Sequence, residues 1–271
     1  MFYGISKKSG LVILGLFFCL CAGCAVNPIT GEEHFMLISE EQDIEIGRGY
    51  APEIEKQMGG RIANESLQDY VDSVGQRIAR VSHRPDLEYH FVALEHKSVN
   101  AFALPGGYVF ITKGMLEKLT TEAQLAGILA HETTHIVARH ASAAMSREIG
   151  IGILLSAVTP EKTPQGALVA ADLARKILGL RYSRKDEREA DFGGLDYMVW
   201  AGYNPYGMVE TMQMLQDQHE DRPVDFLSTH PSPQNRMAYL NQNIQTRYHN
   251  LAELKIGKED YHRAVLEQLN N

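Results

Sequence analysis

Apolar residues recur every three or four positions in two stretches near the start of the chain, and this spacing is typical of one buried helix face. The first stretch predicts a helix over residues 41–58, with Ile44, Ile46, Tyr50 and Ile54 on that face and a stop at Gly59-Gly60. The second predicts a clearer amphipathic helix over residues 67–81, carrying Tyr70, Val71, Val74 and Ile78.

The period then changes from helical to alternating. Tyr89, Phe91 and Ala93 alternate with other residues and predict a strand. Residues 101–104 and 108–112 flank Pro105-Gly106-Gly107 and predict a bent strand or hairpin. The composition of residues 108–112 favours an edge strand, although an ordinary paired strand of a small sheet fits the same residues.

Beyond Gly114 the pattern is helical almost to the end of the chain. Pro205 and Pro233 stand where proline is favoured, at the start of a helix. A loop rich in Pro and Thr over residues 158–166 interrupts the series and is a candidate lid. The predicted helices cover residues 121–146, a segment ending near residue 178, and residues 185–200, 205–218, 233–246 and 258–269. These elements predict an α+β fold that is mostly α, with a small sheet beside the central helix.

The first two dozen residues have a different character. Lys7 and Lys8 precede an apolar run over residues 11–20, and Cys21-Ala22-Gly23-Cys24 follows it. This order is typical of a secretory signal, and its last four residues resemble a bacterial lipobox. We expect residues 1–23 to be a lipoprotein signal peptide, Cys24 to be acylated, residues 24–40 to form a tether, and residues 41–271 to form a single domain. An uncleaved anchor helix, or acylation at Cys21, remains an alternative.

Composition and charge narrow the choice of partners. The chain has 271 residues and a formal net charge of -8, and no segment is strongly basic. We therefore expect no nucleic-acid partner. Ala25 follows the expected lipidated cysteine, a position where lipoproteins retained in the inner membrane often carry Asp. This favours a Gram-negative-type cell envelope, with the protein held by its lipid in the outer membrane and facing the periplasm.

The candidate chemistry begins with His131-Glu132-Thr133-Thr134-His135, inside the most strongly helical stretch. Residues four apart share a helix face, so both imidazoles can reach one metal ion. Glu132 would lie beside that ion as a general base. A histidine pair without a metal remains the alternative for this motif alone.

A catalytic zinc site needs a third protein ligand and one open position. Position 141, where a metzincin would have its third histidine, is Ala141, and His140 is expected to be an ordinary surface residue. If the chain is cleaved before Cys24 and that cysteine is acylated, no other cysteine remains to act as a ligand. Glu187 and Asp191 share a helix face further along, where one carboxylate would bind the metal and the other would orient a ligand histidine. A solvated helix face is the alternative for this acidic run.

Taken together, these motifs resemble the gluzincin family of zinc metalloendopeptidases, which includes HtpX, BepA and the membrane CAAX-prenyl endopeptidases. The resemblance covers about residues 65–245. It is carried by His131-Glu132-x-x-His135, Ser183-Arg184, Glu187-x-x-Ala190-Asp191, Asn100 to Gly107, and Thr229-His230-Pro231-Ser232-Pro233-Gln234-Asn235-Arg236.

The resemblance implies a role for each matched residue. His131, His135 and Glu187 would bind one Zn2+ per chain, Glu132 would activate water, and Asp191 would support the site from behind the ligands. His230 would approach the zinc to gate or assist it, and Arg236 would contact the substrate or the developing oxyanion. The expected substrates are unfolded or misassembled envelope polypeptides, and outer-membrane assembly machinery is a possible partner. The candidate substrate-binding residues are Asn100, Ala101, Gly106, Gly107, Tyr108 and Val109.

Two other functions stay open. A gated or chaperone-like module would keep the scaffold, bind proteins and rarely cut them. A purely structural metal site would leave Glu132 without a purpose. Intramembrane cleavage of the CAAX type is disfavoured, because no apolar stretch after residue 24 is long enough to span a membrane.

Overall fold

The computed structural model describes residues 24–158, 179–221, 224–230 and 235–269. Its five strands are β1 Cys24–Val26, β2 Glu33–Phe35, β3 His90–Leu94, β4 Ala101–Leu104 and β5 Tyr108–Thr112. The helices before residue 159 are α1 Glu40–Gln57, α2 Glu65–Ala79, α3 Lys113–Leu116, α4 Glu122–Val137 and α5 His140–Val158. Those after it are α6 Arg184–Trp200, α7 Tyr206–Asp221, α8 Asp225–Thr229, α9 Arg236–Arg247, α10 Lys258–Tyr261 and α11 Glu267–Leu269. A 3-10 turn covers Leu251–Glu253, and a π-helical turn, His262–Leu266, joins α10 to α11.

The predicted mostly helical α+β fold is confirmed, and the small sheet lies beside α4. Helix α4 is the centre of the molecule, because α2, α6, α7 and β4 all pack against it. Every residue of α4 is buried, from Glu122 to Val137. The His-Glu-x-x-His motif therefore lies inside the protein, where its polar atoms need protein partners or a bound ion.

The three-stranded sheet has the order β3-β5-β4. Strand β5 pairs in parallel with β3, with Phe91 opposite Val109, and antiparallel with β4, with Ala103 opposite the same residue. The prediction that residues 108–112 form an edge strand is therefore wrong, because β5 is the middle strand. The edge nearest α4 belongs to β4, and no other strand of the described residues pairs with its outer side.

The chain between α4 and α5 also differs from the prediction. One helix was expected over residues 121–146, but α4 ends at Val137 and α5 begins at His140. Arg139 between them has a φ of 56°, the left-handed conformation that commonly ends a helix. Its guanidinium donates hydrogen bonds to Asp43 Oδ2 and to the carbonyl oxygen of Ile38, both at 2.6 Å. These bonds hold an arginine in a conformation that normally favours glycine.

The amino-terminal segment, expected to form the tether, packs on the domain. Strands β1 and β2 form a short antiparallel pair in which Cys24 lies opposite Phe35. Asn27 is buried, and its amide donates a hydrogen bond to Glu189 on α6. Cys24 itself is a free, exposed cysteine.

Some expectations fall outside the described residues. They are the signal peptide at 1–23, the loop at 159–166, the helix ending near residue 178, and Pro231 to Gln234 with the helix start at Pro233. The structure therefore does not test whether the loop covers the site. In the part of the chain that is described, no helix has the length and apolar character needed to cross a membrane.

Candidate metal centre

Helix α4 brings two imidazoles together at its carboxyl-terminal half. The Nε2 atoms of His131 and His135 lie 3.2 Å apart, and both side chains are buried. One helical turn separates the two residues, as the motif predicts. Both rings therefore present one nitrogen to the same small space.

Helix α6 supplies the carboxylate. Its first turn is fixed by a capping box in which Ser183 and Asp186 exchange side-chain hydrogen bonds with each other's backbone. Glu187 Oε2 lies 3.6 Å from Nε2 of His131, and Glu187 Oε1 lies 3.5 Å from Nε2 of His135. Of the two candidate acids, Glu187 is therefore the one that meets both rings.

The approach of α6 to α4 depends on small residues. A Cβ atom at Gly193 would lie 2.6 Å from Cγ2 of Thr134, and one at Gly194 would lie 3.2 Å from the backbone nitrogen of His131. Larger residues at these positions would push the helices apart. The two glycines thus allow Glu187 to reach the histidines.

His230, directly after α8, adds a fourth donor. Its Nδ1 lies 3.3 Å from Nε2 of His131 and 2.9 Å from Oε1 of Glu187. The Phe226 ring stacks on its ring with centroids 4.4 Å apart. The side chain is buried, so its position is set by packing inside the site.

The four donor groups fit a tetrahedral metal ion. Zinc bonds of about 2.0–2.2 Å at tetrahedral angles place neighbouring ligand atoms about 3.3–3.6 Å apart. The donor atoms of His131, His135, Glu187 and His230 all lie within 4.8 Å of one another. The nitrogen pairs His131–His135 and His131–His230 are 3.2 and 3.3 Å apart, and the two oxygens of Glu187 lie between 2.9 and 3.6 Å from the histidine nitrogens that they face. Glu187 Oε2 is buried without a hydrogen-bond partner among the described residues, which an ion at this position would supply. The residues therefore fit a bound divalent ion.

Glu132 lies beside this cluster with both carboxylate oxygens unpartnered by any hydrogen bond from the described residues. Nε2 of His230 lies 3.6 Å from Oε1 of Glu132. Burial raises the pKa of the Glu132 carboxyl group, which makes it a better proton acceptor than an exposed glutamate. Glu132 could accept a proton from a water molecule held between it and the donor cluster, as expected of the general base that the sequence predicts.

A second layer of side chains holds the first from behind. Asp191 Oδ1 lies 3.2 Å from Nδ1 of His131, on the side of the ring that faces away from the other donors. Arg236 donates two hydrogen bonds to Asp191, from Nε at 2.9 Å and from Nη2 at 2.6 Å, and Tyr239 donates a third from its hydroxyl group. Arg236 Nη1 also lies 3.4 Å from Glu187 Oε2.

Arg236 was expected to contact the substrate or the oxyanion. In the structure its side chain is 1% exposed and is engaged with Asp191 and Glu187. This geometry directs the guanidinium toward the carboxylates of Asp191 and Glu187. The charge of Arg236 offsets the repulsion between two buried acids that lie one helical turn apart.

Burial and the neighbouring charges shift the pKa values of the site in a direction that differs from group to group. Burial of His131 favours its neutral ring, but the carboxylates of Asp191 and Glu187 outweigh burial and raise its pKa to about 9. Burial lowers the pKa of His135 well below its usual value. Burial would raise the pKa of Glu187, but His230, His131 and His135 outweigh it and hold this pKa well below the usual range. Because a ligand imidazole offers a lone pair, metal binding would release a proton from His131.

Two side chains around His135 were not predicted from the sequence. His140, expected at the surface, is 1% exposed, and its Nδ1 lies 2.9 Å from Nδ1 of His135. The Tyr182 ring stacks on His135 with centroids 4.0 Å apart. Helical periodicity could not reveal the contact of His140, since the helix breaks at Arg139 between the two histidines.

The predicted substrate residues lie in different surroundings. Gly106 and Gly107 form the turn between β4 and β5 with φ of 79° and 104°, and a Cβ at Gly107 would lie 2.1 Å from the carbonyl oxygen of Glu88. Tyr108 and Val109 belong to the middle strand. Asn100 and Ala101 lie at the start of the edge strand β4. A small pocket at the other end of β4 is lined by residues including Leu104, Pro105, His135 and Tyr182.

Peptidase family M48 matches residues 65–244 of this chain. The beta-barrel assembly-enhancing protease of Escherichia coli is 28% identical to it over 224 residues, which cover 78% of this chain and 45% of that protein. The mitochondrial metalloendopeptidase OMA1 of Schizosaccharomyces pombe is 32% identical over 222 residues, covering 79% and 65% of the two chains. The chain therefore spans less than half the length of the bacterial relative.

Proposed function

Because the chain belongs to peptidase family M48, we propose that it is a zinc-dependent metalloendopeptidase whose ion is held by His131, His135 and Glu187. One observation carries the proposal: three donor groups from two helices converge beside a buried glutamate whose oxygens have no hydrogen-bond partner among the described residues. Burying a carboxyl group without a hydrogen-bond partner costs free energy. A catalytic site uses Glu132 as a base, whereas a purely structural metal site would not use it.

The bound zinc ion would supply Lewis acidity, polarising the peptide carbonyl group and acidifying water. Glu132 accepts the proton of the attacking water and then donates it to the departing amine. Asp191 fixes the ring of His131 through Nδ1, and Arg236 fixes Asp191. In this proposal Arg236 is a positioning residue, and its expected contact with the oxyanion is replaced by its contacts with the two carboxylates.

We propose that the substrate is an extended polypeptide bound along β4. The outer side of β4 is unpaired among the described residues and β4 packs against α4, so an added strand would lie next to the metal-binding helix. Main-chain pairing gives little side-chain selectivity, which suits unfolded or misassembled proteins. The outer side of β4, which includes Ala101, would pair with the substrate. Tyr108 and Val109 were expected to do so, but they lie on the neighbouring strand β5.

The proposed location is the periplasmic side of the outer membrane, with Cys24 carrying the lipid. The exposed position of Cys24 supports its availability for acylation. One relative is named for enhancing β-barrel assembly, which supports envelope proteins as substrates and the outer-membrane assembly machinery as a partner.

The position of His230 supports a gated form of this enzyme. A fourth protein donor would fill the position that a catalytic zinc site leaves open for water. A chaperone-like activity would persist in this closed form, because it requires protein binding without cleavage. We propose that His230 must leave the donor cluster before a substrate is cut.

The test is metal analysis of the purified protein together with a casein-cleavage assay, for the wild type and for Glu132→Gln. We expect about one zinc per chain in both proteins and a loss of cleavage of about 10²–10⁴-fold in Glu132→Gln. Zinc-free wild-type protein, or unchanged cleavage by the variant, would refute the proposal. A chaperone-like activity, unlike cleavage, would survive in Glu132→Gln.

A further inference from the structure

His140 is a buried polar residue that the proposed reaction does not use. It is the first residue of α5, it is 1% exposed, and its Nδ1 meets Nδ1 of His135 at 2.9 Å. A buried imidazole with no role would ordinarily be replaced by an apolar side chain at little cost. Its contact with a candidate ligand suggests that it supports the metal site.

The protonation pattern of the two rings follows from their surroundings. Nε2 of His135 faces the donor cluster, 3.2 Å from Nε2 of His131 and 3.5 Å from Glu187 Oε1. A ligand nitrogen must offer its lone pair, so the proton of a neutral His135 lies on Nδ1. That N–H can only donate to Nδ1 of His140, and His140 must therefore carry its own proton on Nε2.

The far side of His140 matches this pattern. Its Nε2 lies 3.5 Å from Oε1 of Glu189 and 3.9 Å from Oδ1 of Asp186, both on α6, within the range of charge attraction but without a hydrogen bond. Two carboxylates there favour a ring that presents an N–H to them. Asn27 donates a hydrogen bond to the same Glu189 oxygen. The segment that follows Cys24 therefore holds Glu189 in place beside His140.

A left-handed turn at Arg139 lies between His135 and His140 and allows their rings to meet. Left-handed backbone is unfavourable for arginine, yet Arg139 adopts it between α4 and α5. Its guanidinium is held by Asp43 and by the carbonyl oxygen of Ile38. The turn ends α4 and starts α5 in the orientation that brings His140 back to His135.

We propose that His140 positions the metal ligand His135 by accepting a hydrogen bond from its Nδ1, and that Glu189, held by Asn27, orients His140 in turn. This inference rests on the proposed zinc site but not on its catalytic use. It adds a positioning residue on the side of the cluster opposite Asp191. Each ligand histidine of α4 then has its own partner: Asp191 for His131 and His140 for His135.

The test compares His140→Asn with His140→Leu in the full chain. The Asn side-chain oxygen occupies nearly the place of Nδ1 and can accept the hydrogen bond, whereas Leu has a similar shape and no acceptor. Competition with a chromogenic chelator measures the zinc Kd, and the visible absorption of the Co2+-loaded protein reports the ligand geometry. We expect His140→Leu to raise the zinc Kd about 10–100-fold and to alter the Co2+ bands, and His140→Asn to recover most of the affinity.

His83→Leu is the matched control. It removes a histidine whose Nδ1 is hydrogen-bonded to the hydroxyl group of Tyr197 on α6, away from the donor cluster. We expect its zinc Kd to equal that of the wild type. Equal weakening in His140→Asn and His140→Leu would mean that His140 only fills space, and wild-type affinity in His140→Leu would overturn the inference.

A second measurement uses the zinc-loaded wild-type protein and needs no variant. Long-range 1H–15N spectra of the histidine-labelled wild-type protein report which ring nitrogen carries each proton. We expect His135 to be protonated on Nδ1 and His140 on Nε2, and a proton on Nδ1 of His140 would overturn the inference. Zinc binding without casein cleavage would instead refute the proposed function and leave the positioning role of His140 standing.

Discussion

The Nε2 atom of His230 lies 3.6 Å from Oε1 of Glu132, while Nδ1 of the same ring lies 2.9 Å from Oε1 of Glu187. A single imidazole thus contacts both the proposed base and a proposed ligand. In the proposed reaction, a water molecule between Glu132 and the bound ion would take the place of this ring. The arrangement describes a closed site, and it gives the first prediction.

Replacing His230 by Ala should raise basal casein cleavage severalfold, because the fourth donor leaves and water can take its place. The zinc Kd should rise modestly, since three ligands remain. His262→Ala is the control, because that histidine is exposed and pairs with Glu267 at the carboxyl-terminal end. Cleavage reduced to the level of Glu132→Gln, with zinc retained, would show that His230 assists the reaction and does not gate it.

Arg236→Lys should destabilise the protein and weaken zinc binding. Lysine keeps the charge but loses the planar fork that donates twice to Asp191, and a hydrogen bond to a charged group contributes about 1.5–3 kcal/mol. Urea unfolding measures this change in the free energy of unfolding.

The control for Arg236→Lys lies on the same two helices. Arg247 on α9 contacts both oxygens of Asp196 on α6 at 2.8 Å, but its side chain is 41% exposed, compared with 1% for Arg236. Exposed pairs contribute about 0–1 kcal/mol, so Arg247→Lys should change stability very little. Equal losses in the two variants would contradict the special role of the buried pair.

Gly193→Ala should weaken zinc binding and lower stability by about 1–3 kcal/mol, as overpacking does in a dense interior. The added methyl group would meet Thr134, whose hydroxyl group donates a hydrogen bond to the carbonyl oxygen of Ala130 at 2.8 Å and so resists rotation. Gly49→Ala is the matched control, because a Cβ there meets nothing within 4 Å on the exposed face of α1. It should stabilise the protein slightly, through helix propensity. If Gly193→Ala leaves both the zinc Kd and the unfolding curve unchanged, the close approach of α6 to α4 is not what positions Glu187.

Glu122→Gln should cost about 1–3 kcal/mol of stability and leave the zinc Kd unchanged. This buried carboxylate accepts hydrogen bonds from the hydroxyl groups of Tyr203 and Tyr70 and from Lys255, at 2.8, 2.7 and 2.7 Å. The NH2 group of Gln would face one of these three donating groups, so that a hydrogen bond would be lost. The exposed Glu117 provides the control, since Glu117→Gln should lie within about 0.5 kcal/mol of the wild type. A drop in zinc affinity in Glu122→Gln would mean that the start of α4 also shapes the metal site.

The sequence alone determined the elements whose signals are local. Apolar spacing located α2, α6 and α7 to within a few residues, because a helix face repeats every three to four positions. The same rule placed His131 with His135 on one face and Glu187 with Asp191 on another. The resemblance of the motifs then implied that Glu187 would bind the metal, and in the structure Glu187 is the acid that lies close to both rings.

The tertiary structure decided everything that depends on partners far apart in the chain. Whether residues 108–112 form an edge or a middle strand is set by which strands pair with them, and composition does not encode that choice. His140 became a partner of His135 only because Asp43, nearly a hundred residues earlier, holds Arg139 in a left-handed turn. Arg236 was directed to Asp191 by the packing of α9 against α6. Local sequence fixes periodicity and caps, whereas these contacts arise from burial and charge pairing between segments that meet only when the chain has folded.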